Sequence, residues 1–342
     1  MIVLSEPVDY LTEDTYRPEW LKDGITEATL DAVAERKPIL IELGKKLARA
    51  KRFYMVGSGG SYSVQLPLVY IAEKYTKVPV YAFSGWEFLE RLPEAVDEDA
   101  VVILISQSGK TKEIVEALEW SKGKGATTFG LTQRQESVIN EKADIGYGWE
   151  ARGVTLGKLM SMYYLYGSIF REKGYEIGEK MIKEADKLPA LLLKMIPQAK
   201  ETAKKQGLEL KDYDKIFVLG GGINWGLTYQ FALCTLMEMC WVHGISVNYS
   251  EFRHGALELF TEGTAAIYLR SKFAERKLED SILEFSEGNG VKMVVYDSQG
   301  LDVDNLLTPF TLFVELEWLS YYLSLARNRR MGSWRFYDKV KF

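Results

Sequence analysis

The chain has 342 residues, 47% hydrophobic and 27% charged, with a formal net charge of −5. That length predicts about two domains with room for a large core. The acidic balance and the lack of a long basic run exclude nucleic acid as a partner. No apolar run reaches the ~18 residues of a membrane span and the N-terminus shows no signal-peptide pattern, so a cytoplasmic protein without a membrane partner is expected.

Residues 1–23 mix Tyr10, Tyr16, Pro18 and Trp20 with scattered charges, the pattern of an arm lying on a surface, its own or a partner subunit's. From Ile25 to Arg49 the periodicity is helical, broken only at Pro38, which predicts one kinked helix or two short ones. Phe53-Tyr54-Met55-Val56 is then a short apolar run, a buried strand that ends in Gly57-Ser58-Gly59-Gly60-Ser61-Tyr62-Ser63 and leads into a helix. Further strands are predicted at 78–82, 101–105, 127–131 and 145–148. The third ends in Ser106-Gln107-Ser108-Gly109-Lys110-Thr111, followed by a helix to about Lys122. Apolar strands alternating with helices predict a parallel sheet covered on both faces.

A long helix rich in Met and Tyr is predicted over 156–172. A charged helical connector follows from Glu176 to about Gln206, with breaks at Pro189 and Pro197. The alternation then restarts with strands at 215–219, 246–249, 265–269 and 291–296. The first of these also ends in a glycine loop, Gly220-Gly221-Gly222. The shared order of elements predicts an internal duplication of one α/β unit. The expected organisation is an N-terminal arm and helices over 1–50, a first domain over 51–172, a connector over 173–212, a second domain over 213–326 and a tail over 327–342.

Two loops of the first half suit an anion. Each follows a strand and precedes a helix, where unpaired N–H groups and the positive dipole end converge. The hydroxyls of Ser61, Ser106, Ser108 and Thr111 add donors, although Ser and Thr are also favoured there as plain helix caps. Neither loop is a Walker P-loop, and G-x-G-x-x-G is absent.

The second half holds the candidate acid/base pair. Phe231, Leu233, Leu236, Met237, Cys240 and Trp241 are apolar at helical spacing, and Glu238 stands among them. A turn around Gly244 is expected, then Val247-Asn248-Tyr249 and Glu251-Phe252-Arg253-His254-Gly255. Glu238 and His254 sixteen positions later are the candidates for moving a proton on a small substrate. The blander alternatives are a carboxylate facing solvent or pairing with Arg253, and a hydrogen-bonded structural histidine. Cys234 and Cys240 are too few for a disulfide framework or zinc site and read as core residues.

Together these motifs resemble the sugar isomerase (SIS) domain family. Ser106-Gln107-Ser108-Gly109-Lys110-Thr111 looks like its SQSGxT phosphate loop. Glu238 with Glu251-Phe252-Arg253-His254-Gly255 looks like the catalytic half of the isomerase module of glucosamine-6-phosphate synthase. Ser84-Gly85-Trp86-Glu87-Phe88, Thr235-Leu236-Met237-Glu238 and the run Glu317 to Ser324 bring it nearest to the fructoselysine-6-phosphate deglycases. The resemblance covers roughly residues 50–342. It implies two tandem SIS domains, each a three-layer sandwich of a parallel sheet flanked by helices. It also implies a 6-phosphosugar amine as substrate. Ser61, Ser106, Gln107, Ser108 and Thr111 would hold its phosphate, Glu238 would act as base, and His254 would assist ring opening or act as acid. In this family the histidine can come from a neighbouring subunit, which implies a homodimer or higher homo-oligomer. Lys339, with Lys341 close by, is the nearest match to the synthase's Schiff-base lysine. Where the synthase has a serine near Val154, this chain has Leu156.

The expected activity is therefore a deglycase that needs no metal or redox cofactor. An aldose–ketose isomerase or aminosugar-6-phosphate deaminase would use the same core, and a non-catalytic sugar-phosphate sensor is the alternative of another class. The basic tail Arg327 to Arg335 is either a solvated end, a lid over the substrate or a grip on an acidic amino-acid portion.

Overall fold

The computed structural model describes residues 10–272, 276–336 and 339–340. Five strands, β1 (Arg52–Val56), β2 (Val80–Phe83), β3 (Ala100–Ser106), β4 (Thr127–Thr132) and β5 (Ile145–Gly148), form one sheet in the order β2-β1-β3-β4-β5. Four more, β6 (Lys215–Gly220), β7 (His243–Asn248), β8 (Ala265–Arg270) and β9 (Lys292–Asp297), form a second in the order β7-β6-β8-β9. Every pairing is parallel. The second sheet repeats the order of the first four strands of the first, the duplication that the sequence suggested. Every strand expected from the sequence is present.

The period-2 geometry of a strand distributes its side chains between two cores. Phe53 and Met55 of β1 enter one cluster, Tyr54 and Val56 another. In β6, Ile216 and Val218 join the first cluster, while Phe217 and Leu219 enter a third. The first cluster therefore lies between the sheets, and helices fill it. The Val154–Glu172 helix is buried from Leu156 to Phe170, so its Met and Tyr content is core on all sides. Outside the first sheet lie Phe88, Ile114 and Leu118 of the Gly85–Arg91 and Lys112–Gly123 helices. Outside the second lies Ile282 of the Arg276–Gly288 helix. Fully burying one such side chain contributes about 1.5–3 kcal/mol.

At Pro38 the two short helices of the expectation are what forms, and several other local expectations resolve differently. Pro38 starts a second helix, so Ile25–Glu35 and Lys37–Leu47 are separate. Pro189 sits in the first turn of the Leu188–Leu210 helix, where its missing N–H costs nothing, and that helix runs on through Pro197. Met181, Ile182, Leu192 and Ala203 of the expected connector join the central cluster. The turn expected at Gly244 lies earlier, at Trp241, whose φ is 57°. Gly244 itself is in β7 opposite Ile216, and a Cβ there would come within 2.2 Å of the Ala232 carbonyl oxygen. The described part of the N-terminal arm, from Tyr10 on, lies on this chain's own C-terminal region. The Leu11 N–H donates to Asn328 Oδ1, the Tyr16 hydroxyl to the Met331 carbonyl and the Tyr321 hydroxyl to the Tyr16 carbonyl.

Candidate active site

β1 and β3 are neighbours with Val56 opposite Leu104, so the loops that follow them open side by side at the carboxyl ends of the strands. That edge is where open α/β sheets bind ligands. In the second loop the Ser106 hydroxyl lies 2.8 Å from Thr111 Oγ1 and 3.5 Å from Ser108 Oγ, and accepts from the Gly109 N–H at 3.1 Å. Thr111 occupies the cap position of the Lys112–Gly123 helix but makes no capping hydrogen bond. Its hydroxyl turns towards Ser106, so plain capping does not account for it. Gly109 has φ +66°, and a Cβ there would come within 2.4 Å of Ser137 Cβ. Gln107 and Ser108 are exposed, and the Gln107 carbonyl accepts from the Gln133 N–H.

The first loop is tied down from three directions. The Ser58 hydroxyl donates to Glu113 Oε1 at 2.8 Å. The Ser63 hydroxyl donates to Gln230 Oε1 at 2.8 Å, and Gln230 Nε2 donates to Thr155 Oγ1 at 2.9 Å. Ser61, 6% exposed, accepts from the Lys158 ammonium at 3.1 Å. Burial pushes the Lys158 pKa down to about 8. The cysteine Cys234 closes the loop from the other half. Its sulfur would lie 3.5 Å from a Cβ on Gly59 and accepts from the Gly60 N–H, and burial pushes its thiol up to about 11. Cys234 is thus a neutral contact of the loop rather than a nucleophile at neutral pH.

Cys234 and Glu238 are four apart on Phe231–Cys240, which is π-helix rather than the α-helix its spacing suggested. Wide turns of this kind are frequently found at functional sites. Glu238 is close enough to Cys234 for its charge to raise the pKa of the thiol, which puts it on the side of the helix that meets the first hydroxyl loop. Its carboxyl is half-buried and burial raises its pKa above the ordinary 4.5. It makes no ion pair with Arg253 or any other described residue, which removes that bland alternative.

The remaining expected site residues lie apart. His254 ends the 3-10 segment Tyr249–His254, is exposed, and makes no hydrogen bond with Glu238. Lys339 is exposed and donates to the Trp334 carbonyl at 2.9 Å; Lys341 lies outside the described residues. The tail is not a solvated end. The guanidinium of Arg329 lies 2.8 Å and that of Arg335 3.5 Å from the centre of the Trp241 ring, which caps the helix of Glu238. Burial lowers the Arg329 pKa to about 10.

Comparison with known proteins places this geometry. The SIS domain profile matches residues 46–163, which include both hydroxyl loops and Lys158. The fructoselysine 6-phosphate deglycase of Escherichia coli K12 is 30% identical, over 84% of this chain and 85% of its own length. The chain belongs to the SIS family. A fructosamine deglycase of Bacillus subtilis is 29% identical over 84% of the SIS chain and 92% of its own. A solved Bacillus subtilis protein assigned as a phosphosugar isomerase superposes with a TM-score of 0.81 at 28% identity, covering 91% of this chain and 99% of that one. Among the described residues no helix is long and apolar enough to cross a membrane.

Lys158, Glu113, Gln230 and Thr155 were not singled out from the sequence. Lys158 carried a usable signal, a lone cation inside a run of Met, Tyr and Leu. The others are single polar residues on three different helices, and only the folded chain brings them to the loop.

Proposed function

We propose that this SIS chain is a phosphosugar-amine deglycase acting on a 1-amino-1-deoxy-ketose 6-phosphate. The observation that carries the reading is Glu238, an unpaired, half-buried carboxylate four residues from Cys234, whose sulfur touches the hydroxyl-lined loop at the sheet edge. With the phosphate at Ser61, Ser106, Gln107, Ser108 and Thr111, the substrate's C1 and C2 reach Glu238. The neighbouring carbonyl acidifies the C1 proton, and the Glu238 carboxylate removes it to give an enaminol. Reprotonation at C2 leaves an imine at C1. Water adds to the imine, and the amine leaves with glucose 6-phosphate as the other product. A well-placed base contributes ~10²- to 10⁴-fold, and the remote phosphate supplies binding energy that orients the reacting carbons. The names of the Escherichia coli and Bacillus subtilis relatives support the same substrate class.

In this reading the two sheets are the centres of tandem SIS domains over 51–172 and 213–326, with 173–212 joining them, and the protein works in the cytoplasm. The active unit is a homodimer in which His254 of one copy serves the site of the other. Exposed His254 pairs with no carboxylate among the described residues of its own chain, and Leu233 and Met237, 40% and 42% exposed, flank Glu238 as an apolar face. The steps need no Schiff base, so Lys339 enters only as part of the tail. The test is to incubate the pure protein with a panel of phosphorylated Amadori compounds, glucosamine 6-phosphate and fructose 6-phosphate, and to assay glucose 6-phosphate and free amine. Turnover of fructose 6-phosphate or glucosamine 6-phosphate alone would replace the deglycase with an isomerase or a deaminase.

A further inference from the structure

Lys158 is the fifth residue of the Val154–Glu172 helix and is only 3% exposed. Its ammonium donates to Ser61 Oγ at 3.1 Å and would stand 3.8 Å from a Cβ on Gly60. Among the described residues it has no ion-pair partner. Its position near a helix N-terminus adds the unfavourable end of the dipole. A buried cation without a counter-charge is costly by several kcal/mol, and the usual remedy, a paired carboxylate, is missing: Glu238 lies on the facing π-helix four residues from Cys234 but makes no ion pair with Lys158. The facing π-helix instead presents Cys234, whose thiol stays neutral through the physiological range. A second buried group beside the same loop also lacks partners. Gln65 is 0% exposed, both its amide atoms are unsatisfied, and its Nε2 would lie 2.8 Å from a Cβ on Gly57. Buried polar atoms without partners are rare and need a reason.

We infer that Lys158 supplies the counter-charge for a phosphate dianion held against Ser61, and that binding of the phosphosugar completes the ion pair this fold leaves open. The inference rests on the phosphosugar reading of the hydroxyl loops but not on which amine, if any, is released. Apart from exposed Lys110, the hydroxyl loops offer only neutral donors, whereas a 6-phosphate carries about two negative charges above pH ~6. A hydrogen bond to a charged group is stronger than a neutral one, so the lysine would provide a large part of the grip.

The pH dependence has a definite sign. In the empty protein the ammonium is held down to about 8 by burial; the groups nearest it are the Ser61 hydroxyl and the Cys234 thiol, neither charged in this range, and the one carboxylate of the facing π-helix, Glu238, makes no ion pair with it. Below about 8 the cation is already present and the dianion binds fully. Above that, binding must first return the proton to Lys158, so affinity falls with rising pH. The bound phosphate holds the lysine charged, and one proton is taken up per ligand.

The test is calorimetric titration of the full chain with glucose 6-phosphate and with inorganic phosphate between pH 6.5 and 9.5, in buffers of different ionisation enthalpy. The expected result is a Kd that is flat near neutral pH and rises about tenfold per unit in the upper part of the range, with proton uptake in that part. Lys158→Met should weaken glucose 6-phosphate roughly 10- to 100-fold at pH 7 and abolish the pH dependence, whereas Lys158→Arg should retain most of the affinity and shift the fall to higher pH. A wild-type Kd that stays flat to pH 9.5 without proton uptake overturns the inference, whatever the variants do. So does a folded Lys158→Met chain that binds as the wild type. Glucose 6-phosphate binding with the expected profile, but no amine released from any phosphorylated Amadori compound, would sink the deglycase reading and leave the role of Lys158 standing. Turnover with a flat Kd would do the reverse.

Discussion

At the scale of single residues, Glu238 and the hydroxyl loop make separable contributions. Glu238→Gln keeps the shape and removes the base, so turnover should fall by at least ~10²-fold while glucose 6-phosphate still binds with near-normal Kd. Single-turnover assays and calorimetry on one preparation check both halves. Near-normal turnover would remove Glu238 from the base position. Burial raises the Glu238 pKa above 4.5, so the acid limb of kcat/KM should fall at a pH above the ordinary carboxylate value. Ser106→Ala should do the opposite, raising KM with little change in kcat. Its hydroxyl holds Thr111 and the Gly109 N–H together in the loop proposed to bind the phosphate, at the other end of the proposed substrate from the C1 proton. A loss roughly tenfold in KM fits one hydrogen bond to a charged group, and a fall confined to kcat would place Ser106 elsewhere. These residues were legible in the sequence because a carboxylate in an apolar stripe and hydroxyls at a strand end are conspicuous one position at a time. The same rule points to Lys158, a cation in a helix buried from Leu156 to Phe170. The sequence reading passed over it because lysine stems often lie along apolar surfaces with the charge in water, and only the fold shows that no water-facing side exists.

At the scale of elements, the strands could be located from their apolar runs, since parallel strands buried on both faces read as continuous hydrophobic segments. The π-helix could not, because over ten residues its apolar spacing does not differ from that of an α-helix. Nor could the start of β7. Gly244 resembles a turn residue and is instead the place where β7 passes closest to the helix of Glu238. Gly244→Ala should therefore destabilise the fold by ~2 kcal/mol or more, since the new methyl would meet the Ala232 carbonyl. Chemical denaturation is the measurement, and an unchanged midpoint would mean that the strand can shift. The Thr308–Ala326 helix carries a second consequence. Burial pushes Glu317 up to about 8 and Glu315 up to about 7. An unfolded glutamate loses its proton near pH 4.3. Between that value and about 8 the folded chain holds a proton that the unfolded chain has released. The stability linked to Glu317 is thus fully present below pH ~4.3 and is lost as pH rises through about 8. Glu317→Gln stays uncharged at every pH, so its melting temperature relative to the parent should improve from pH 6 to pH 8.5. A constant difference would mean that Glu317 finds a partner.

At the scale of the molecule, the two sheets share a topology but not a site. Where β3 leads into the hydroxyl loop, β8 leads into Arg270, 7% exposed, whose guanidinium meets Glu279, Asp280 and Asp297. A closed ion-pair network leaves nothing for a phosphate there, so the second sheet contributes instead the π-helix that carries Glu238 across to the first. One central core binds both sheets, and the candidate base and the candidate phosphate loops come from opposite sides of it. The site still lacks an acid within the single chain, because exposed His254 makes no contact with Glu238. If a second copy supplies His254, Glu238→Gln and His254→Asn should each be inactive alone and should recover activity when unfolded and refolded together. Random pairing gives half mixed dimers, and one of the two sites in each mixed dimer then combines an intact Glu238 with an intact His254. The mixture should reach roughly a quarter of the wild-type rate for a two-fold dimer. If both residues acted within one chain, every site in the mixture would keep one defect and no activity would return. If His254→Asn alone were active, the histidine would have no part in the chemistry, and the exposed apolar face at Leu233 and Met237 would need another explanation. Measuring the rate against the mixing ratio separates these outcomes, because recovery from trans pairing peaks at equal amounts of the two variants.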